Sequence, residues 1–163
     1  FLGTGAGVWY VLWRYKLTWQ AFVAEYLDDG ILSFWLGWGI GRIGCFLIHD
    51  HPGTLTHFVG GVAYPDGVRH DLGLYESLLG FALFGLSLAL YARLSAKKKG
   101  LLAMVTVGLY AFVRIYLDTL RTVDVRYLGF TPAQWGMLVI ILSLTGWQIF
   151  GKRLQTFCKK TIN

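Results

Sequence analysis

Charge is scarce in this sequence. Only 15% of its 163 residues are Asp, Glu, Lys or Arg, while 55% are hydrophobic, and the mean hydropathy is +0.52. A soluble domain carries about 25% charged residues, so an ordinary water-soluble fold is excluded. Cysteine is equally sparse. Cys45 and Cys158 make no disulfide framework, and the topology below sets them on opposite sides of a membrane. Internal repeats, heptad arrays and low-complexity tracts are missing, as is any H-E-x-x-H spacing that would mark a metal site. The net charge of +6 raises the question of nucleic acid. The basic residues, however, lie in short segments flanking apolar runs, where they set membrane orientation; no nucleic-acid partner is expected.

What the chain does have is long apolar runs. A helix needs about 20 such residues to cross a bilayer, and residues 30–48, 72–94, 101–121 and 132–150 each supply a run of that order. Residues 1–16 hold a shorter run that opens on Phe rather than Met, so the chain is expected to start inside a helix of a longer protein. No basic segment precedes that run and no small-residue cleavage pattern follows it, which argues against a signal peptide. Between them, residues 17–29 place Trp19, Phe22, Val23, Tyr26 and Leu27 on one helical face and Gln20, Glu25 and Asp28 on the other, as an interfacial helix would. The expected architecture is an all-α, polytopic transmembrane helical bundle: one membrane domain with four full spans, a partial N-terminal span and a loop over 49–71.

Orientation follows from charge. Arg14 and Lys16, then Arg93 with Lys97, Lys98 and Lys99, then Lys152, Arg153, Lys159 and Lys160 fall on one side if the spans alternate. The positive-inside rule makes that side cytoplasmic, with the C-terminus inside. Trp9, Tyr10, Trp13, Tyr15, Trp19, Tyr91, Trp135 and Trp147 sit near expected span ends, as an aromatic belt does. Gly37, Gly39 and Gly41 lie at the spacing of close helix packing.

Against this apolar background a few ionisable residues stand out. An Arg at the centre of a span costs about 2.5–3.5 kcal/mol, so Arg42 and Arg114 need a reason. Tyr110, Arg114 and Asp118 are spaced four apart and share a helix face, with Arg121 continuing the stripe. Glu76 enters the next inward span beside Tyr75, with His70 and Asp71 at its mouth. Three antiparallel spans therefore place their ionisable groups toward the same, outer leaflet. Snorkelling would account for Arg42 or Arg121, and intrahelical pairing with Asp118 for Arg114. Guanidinium groups grip phosphate bidentately and stabilise charge on a leaving phosphate in a water-poor site. A phospholipid headgroup lies at this depth, so the residues point to an enzyme or flippase acting on phospholipid.

All four histidines, His49, His51, His57 and His70, lie in the 49–71 loop. They stand as a loose candidate for a metal-dependent protein. The simpler reading is a polar loop in which Asp50 and Pro52-Gly53 shape a turn, with a proton-carrying histidine open.

These residues resemble the prolipoprotein diacylglyceryl transferase family. Gly41-Arg42-Ile43-Gly44-Cys45-Phe46 is similar to the family's Gly-Arg-Ile-Gly-Asn-Phe, with Gly53 matching a later glycine. Arg69-His70-Asp71-Leu72-Gly73-Leu74-Tyr75-Glu76 is similar to its Arg-His-Pro-Ser-Gln-Leu-Tyr-Glu. Tyr110, Arg114, Asp118 and Arg121 match a Tyr-x-x-x-Arg-x-x-x-Glu-x-x-Arg pattern, and Gln134 matches a later Gln.

The resemblance implies a bacterial inner-membrane enzyme that transfers a diacylglyceryl group from phosphatidylglycerol to the lipobox cysteine in the signal peptide of a preprolipoprotein, without metal or nucleotide cofactor. It implies Arg42, Arg114, Glu76 and Asp118 as catalytic residues. Tyr110, Arg121, Gly53, Cys45, His70 and Tyr75 would be substrate-binding. Departures are Cys45 for Asn, Asp118 for Glu, Asp71-Leu72-Gly73 for Pro-Ser-Gln, and no counterpart of the family's His-Gly-Gly motif, near where this sequence opens. A non-enzymatic phospholipid-binding or transport protein on the same scaffold is the alternative, and His49, His51 or His70 are the candidates for a base.

Overall fold

The computed structural model describes residues 2–97, 100–122, 124–143 and 145–146. Lys98, Lys99, Lys152, Arg153, Cys158, Lys159 and Lys160, Trp147 and the end of the 132–150 run lie outside the described residues, as do the side chains of Trp19, Gln20, Val23 and Glu25.

The chain is mainly helical: α1 (Leu2–Tyr15), α2 (Trp19–Ile48), α3 (Leu72–Lys97), α4 (Leu101–Thr119) and the shorter apolar α5 (Pro132–Ser143). Among the described residues, three stretches are long and apolar enough to cross a membrane: Tyr26–Ile48, Leu72–Leu94 and Leu101–Thr119. The chain is a multi-pass membrane protein. The interfacial helix expected at 17–29 is not separate: α2 runs unbroken through Asp28, Asp29 and Gly30. The polarity at this point is satisfied without a break. Asp28 is buried, and its two oxygens accept hydrogen bonds from Gly100 N and Ala103 N, each at 3.0 Å. That carboxylate serves from a distance as the cap of α4, meeting amides that have no partner in their own helix.

The segment expected to be a loop at 49–71 folds into a three-stranded antiparallel sheet, β1 (Pro52–Leu55), β2 (Val62–Tyr64) and β3 (Gly67–Asp71), in the order β1-β3-β2. Pro52-Gly53 begins a strand rather than a turn. The β2–β3 hairpin turns at Pro65-Asp66, where proline presets φ. Polar residues masked the alternation here, and strands this short leave little periodicity to read.

α2 ends where His49 adopts the left-handed conformation (φ 51°), a region His tolerates better than most non-glycine residues. α3 begins with Asp71 as its N-cap: Leu74 N donates to Asp71 Oδ1 at 2.9 Å.

Contacts divide the chain into two compact units, one of Phe1–Gly41 and Ser77–Thr106, the other of Arg42–Glu76 and Val107–Asn163. In the first, Trp35, Leu83 and Leu102 are buried. Gly39 and Gly80 bring α2 and α3 together: a Cβ on Gly80 would lie 2.7 Å from Gly39 N. Ser77 Oγ donates to Gly39 O at 2.8 Å. Gly39 thus fulfils the expected packing role, whereas Gly37 and Gly41 face open space. In the second unit Gly53 is held against β3 and the end of α4; a Cβ there would meet His70 O at 2.7 Å.

Candidate functional site

Glu76, one turn into α3, is fully buried. Its Oε2 pairs with Arg42 Nη2 of α2 at 2.8 Å, and its Oε1 pairs with Arg114 Nη1 of α4. One carboxylate therefore joins two guanidinium groups from two other helices. Arg114 also reaches Asp118 Oδ1, one turn on, at 3.3 Å through its Nη2. Asp118 is fully buried and receives the hydroxyl of Thr131 on Oδ2, with Arg121 Nη1 at 4.0 Å from Oδ1. Arg121 pairs with Asp124 at 2.6 Å. The two simplest readings of the arginines separate here. Arg42 does not snorkel to solvent as a lone cation, and the intrahelical Arg114–Asp118 pair exists as one link of a larger chain. Tyr110 is buried one turn before Arg114, within electrostatic reach of Glu76, Arg114, Arg42 and Asp118.

Arg42 extends the cluster toward the sheet. Its Nη1 lies 3.1 Å from His51 Nε2 and 3.7 Å from Cys45 Sγ. His51 Nδ1 in turn meets Asp50 Oδ1. Arg69 anchors the hairpin, donating from Nη1 to Gly53 O at 2.7 Å and from Nε to Asp66 at 2.9 Å. That hydrogen bond from Arg69 holds the Asp66 carboxyl below the usual range, and Asp66 raises Arg69 in return. Tyr64 donates to buried Asp71 at 2.7 Å, and burial followed by this bond pushes its phenol upward.

The candidate residues therefore do not all converge. Arg42, Glu76, Arg114, Asp118 and Arg121 form one ionic chain, with Tyr110 beside it and Cys45 against Arg42. His70 is elsewhere, its Nδ1 2.8 Å from the Tyr75 hydroxyl, and Tyr75 points to Gly60 O at 3.4 Å. Gly53 acts through backbone, bridging to Arg121. The histidines do not gather on one point: His49 sits on Asp71 at 3.3 Å, His51 on Arg42 and His70 on Tyr75, while His57 is exposed. Cys45, Asp50 and His51 have ligand atoms within 4.8 Å of one another. Arg42 already donates to two of these three.

Sequence reasoning missed Asp50, Asp124 and Thr131 as members, and named His51 only as one of three candidates for a base. Thr131 was legible. Thr131-Pro132-Ala133-Gln134 is a capping box with proline at the first helical position. Thr131 N donates to Gln134 Oε1 at 3.0 Å, Gln134 N to Thr131 Oγ1 at 3.2 Å, and Gln134 Nε2 to Ile115 O at 3.1 Å. The cap of α5 thus aims the Thr131 hydroxyl at Asp118.

Comparison with known proteins identifies the family. The family model described as prolipoprotein diacylglyceryl transferase matches residues 1–150. The chain is similar to the phosphatidylglycerol–prolipoprotein diacylglyceryl transferase of Campylobacter hominis, at 35% identity over 79% of this chain and 47% of that protein. It is similar to the protein of the same name from Clostridium botulinum, at 34% identity over 64% and 44%. A Streptococcus pneumoniae protein, also so named, is 28% identical over 85% and 55%. The chain spans about half the length of these relatives. No solved structure matches it significantly. The chain belongs to the prolipoprotein diacylglyceryl transferase family.

Proposed function

We propose that this chain carries the phosphate-binding centre of a transferase that moves a diacylglyceryl group from phosphatidylglycerol to the lipobox cysteine thiol in the signal peptide of a preprolipoprotein. The observation that carries the reading is the double engagement of Glu76, which presents Arg42 and Arg114 side by side. Two arginines so joined match the anionic end of a phospholipid, and a fixed pair stabilises charge gathering on a departing phosphate without reorganising.

In this reading the thiolate sulfur attacks the glycerol carbon that bears the phosphate. A carbon–sulfur bond forms, the carbon–oxygen bond breaks, and glycerol phosphate leaves with the electron pair. Arg42 and Arg114 hold the phosphate; Glu76 and Asp118 hold the arginines. Tyr110, Arg121 and Cys45 line the headgroup position, and His70, Tyr75 and Gly53 shape the sheet beside it. We place the protein in the bacterial cytoplasmic membrane with four spans, a partial N-terminal span, the C-terminus inside and the site toward the outer leaflet.

The test is transfer by purified full-length protein supplied with phosphatidylglycerol and a lipobox peptide. A thioether-lipidated peptide is the expected product, and Arg42→Ala and Arg114→Ala are each expected to slow it by about 10²–10³-fold. Full activity in both variants would remove the clamp. Phosphatidylglycerol binding with no product would make the protein a lipid carrier instead.

A further inference from the structure

We propose that Thr131, the N-cap of α5, is a positioning residue of the phosphate clamp: its hydroxyl fixes the Asp118 carboxylate and, through it, the guanidinium of Arg114. The proposal rests on the transferase reading above. It begins from the bonds on one buried carboxylate. Among the described residues, the Thr131 hydroxyl is the only hydrogen bond that the Asp118 side chain receives, and it falls on Oδ2. The other oxygen, Oδ1, meets Arg114 Nη2 at 3.3 Å and Arg121 Nη1 at 4.0 Å as ion pairs. A hydrogen bond weakens steeply when bent, whereas the attraction of two charges depends on distance alone. Thr131 therefore sets the rotation of the carboxylate, and with it the oxygen presented to Arg114.

The direction of that hydroxyl is forced. Gln134 N donates to Thr131 Oγ1 at 3.2 Å, and an amide N–H only donates. The oxygen accepts there, so its one proton is left for Asp118, whose ionised carboxylate only accepts. Thr131 and Gln134 are both buried. Gln134 Nε2 donates to Ile115 O at 3.1 Å, three residues before Asp118 on α4. The start of α5 is clipped to the last turns of α4 at two points. Thr131 and Gln134 complete the cap between themselves, so the bond to Asp118 is additional to it.

The clamp needs such a stop. Arg114 is shared, with Nη1 on Glu76 and Nη2 on Asp118. The two carboxylates hold the guanidinium plane from two sides, and that plane decides where a phosphate oxygen meets it. Arg121, the other cation at Asp118, is paired with Asp124 at 2.6 Å. Without the Thr131 hydroxyl the Asp118 carboxylate is free to swing toward Arg121. Arg114 then keeps Glu76 and loses its second support. The charge of the clamp is unchanged, so the lipid is still attracted. Its geometry is not, and a misplacement of about 1 Å is enough to cost about 10²-fold in rate. The hydroxyl acts on the departing phosphate and not on lipid capture.

The experiment measures kcat and KM for phosphatidylglycerol in lipobox-peptide transfer by the full-length protein in nanodiscs, each corrected to the folded fraction. The proteins are wild type, Thr131→Val, Thr131→Ser, and Thr131→Val in an Asp118→Ala background. Thr131→Val keeps the shape and loses the hydroxyl. It is expected to lower kcat by about 10–10²-fold with KM within about threefold of wild type, and Thr131→Ser to recover most of that rate. In the Asp118→Ala background the same substitution is expected to cost less than about twofold more, because its effect passes through Asp118. A kcat within about threefold of wild type in Thr131→Val overturns the proposal while leaving the transferase intact. So does a loss carried by KM or by the folded fraction, a failure of serine to recover the rate, or a full further loss in the Asp118→Ala background, since the threonine would then serve the helix cap alone. Should Asp118→Ala fall below detection, the split between kcat and KM and the recovery by serine decide. A wild type that transfers nothing overturns the transferase reading, and the positioning role falls with it.

Discussion

The two units of this protein bury polar groups for different ends. In the unit of Phe1–Gly41 and Ser77–Thr106, the buried oxygens of Asp28, Ser77 and Thr106 answer to backbone. Asp28 caps α4, Ser77 bonds Gly39 O, and Thr106 bonds Leu102 O at 3.0 Å. In the unit of Arg42–Glu76 and Val107–Asn163, buried Asp71 likewise caps a helix, α3, but the buried carboxylates Glu76 and Asp118 answer to guanidinium groups, in the order Arg42, Glu76, Arg114, Asp118, Arg121. A backbone-satisfied group contributes about 1 kcal/mol and has a structural use. A buried ion pair is often no better for stability than the leucines that would replace it. Under the proposed function those charges hold a phosphate, and the contrast between Asp28 and Glu76 is the place to test it.

The contrast breaks hardest at Glu76. Glu76→Leu leaves two guanidinium groups without their shared carboxylate and is expected to destabilise the fold by about 3–5 kcal/mol, measured by thermal unfolding in detergent. Transfer per folded molecule should fall with it. Asp28→Ala is the matching test in the other unit. Loss of the cap is expected to destabilise by about 1–2 kcal/mol in the same unfolding assay, with transfer per folded molecule unchanged. If Asp28→Ala reduced turnover as Glu76→Leu does, the division between structural and chemical polarity would be void.

The smallest effect belongs to the exposed pair in the hairpin. Arg69 lowers the Asp66 pKa in the folded state. The stabilisation is therefore present above the ordinary carboxylate pKa of about 4 and is lost as pH falls through the lower, folded value. Asp66→Asn should flatten that acid limb of the stability curve and leave the neutral range nearly untouched, which unfolding measured from pH 3 to 7 will show.

Much of this was legible beforehand. The helices announced themselves by apolar length, and Arg42, Glu76, Arg114 and Asp118 by being charged inside them. What escaped has physical reasons. The sheet is built from strands of three to five residues, too short for alternation to register. Asp28 looked like the polar face of a surface helix because its partners, Gly100 and Ala103, are distant in sequence. His51 looked like loop polarity because its contact with Arg42 depends on how α2 ends at His49. Family membership adds the names of similar enzymes, and the arrangement around Glu76 is what the proposed function builds on.

The central claim is that Arg42 and Arg114 act as one clamp. A double-mutant cycle of Arg42→Lys and Arg114→Lys on kcat/KM for transfer from phosphatidylglycerol tests it directly. A shared phosphate predicts coupling of more than about 1 kcal/mol between the two substitutions, the double variant being scarcely worse than the poorer single one. Additive losses would contradict it, since the two arginines would then be serving separate ends.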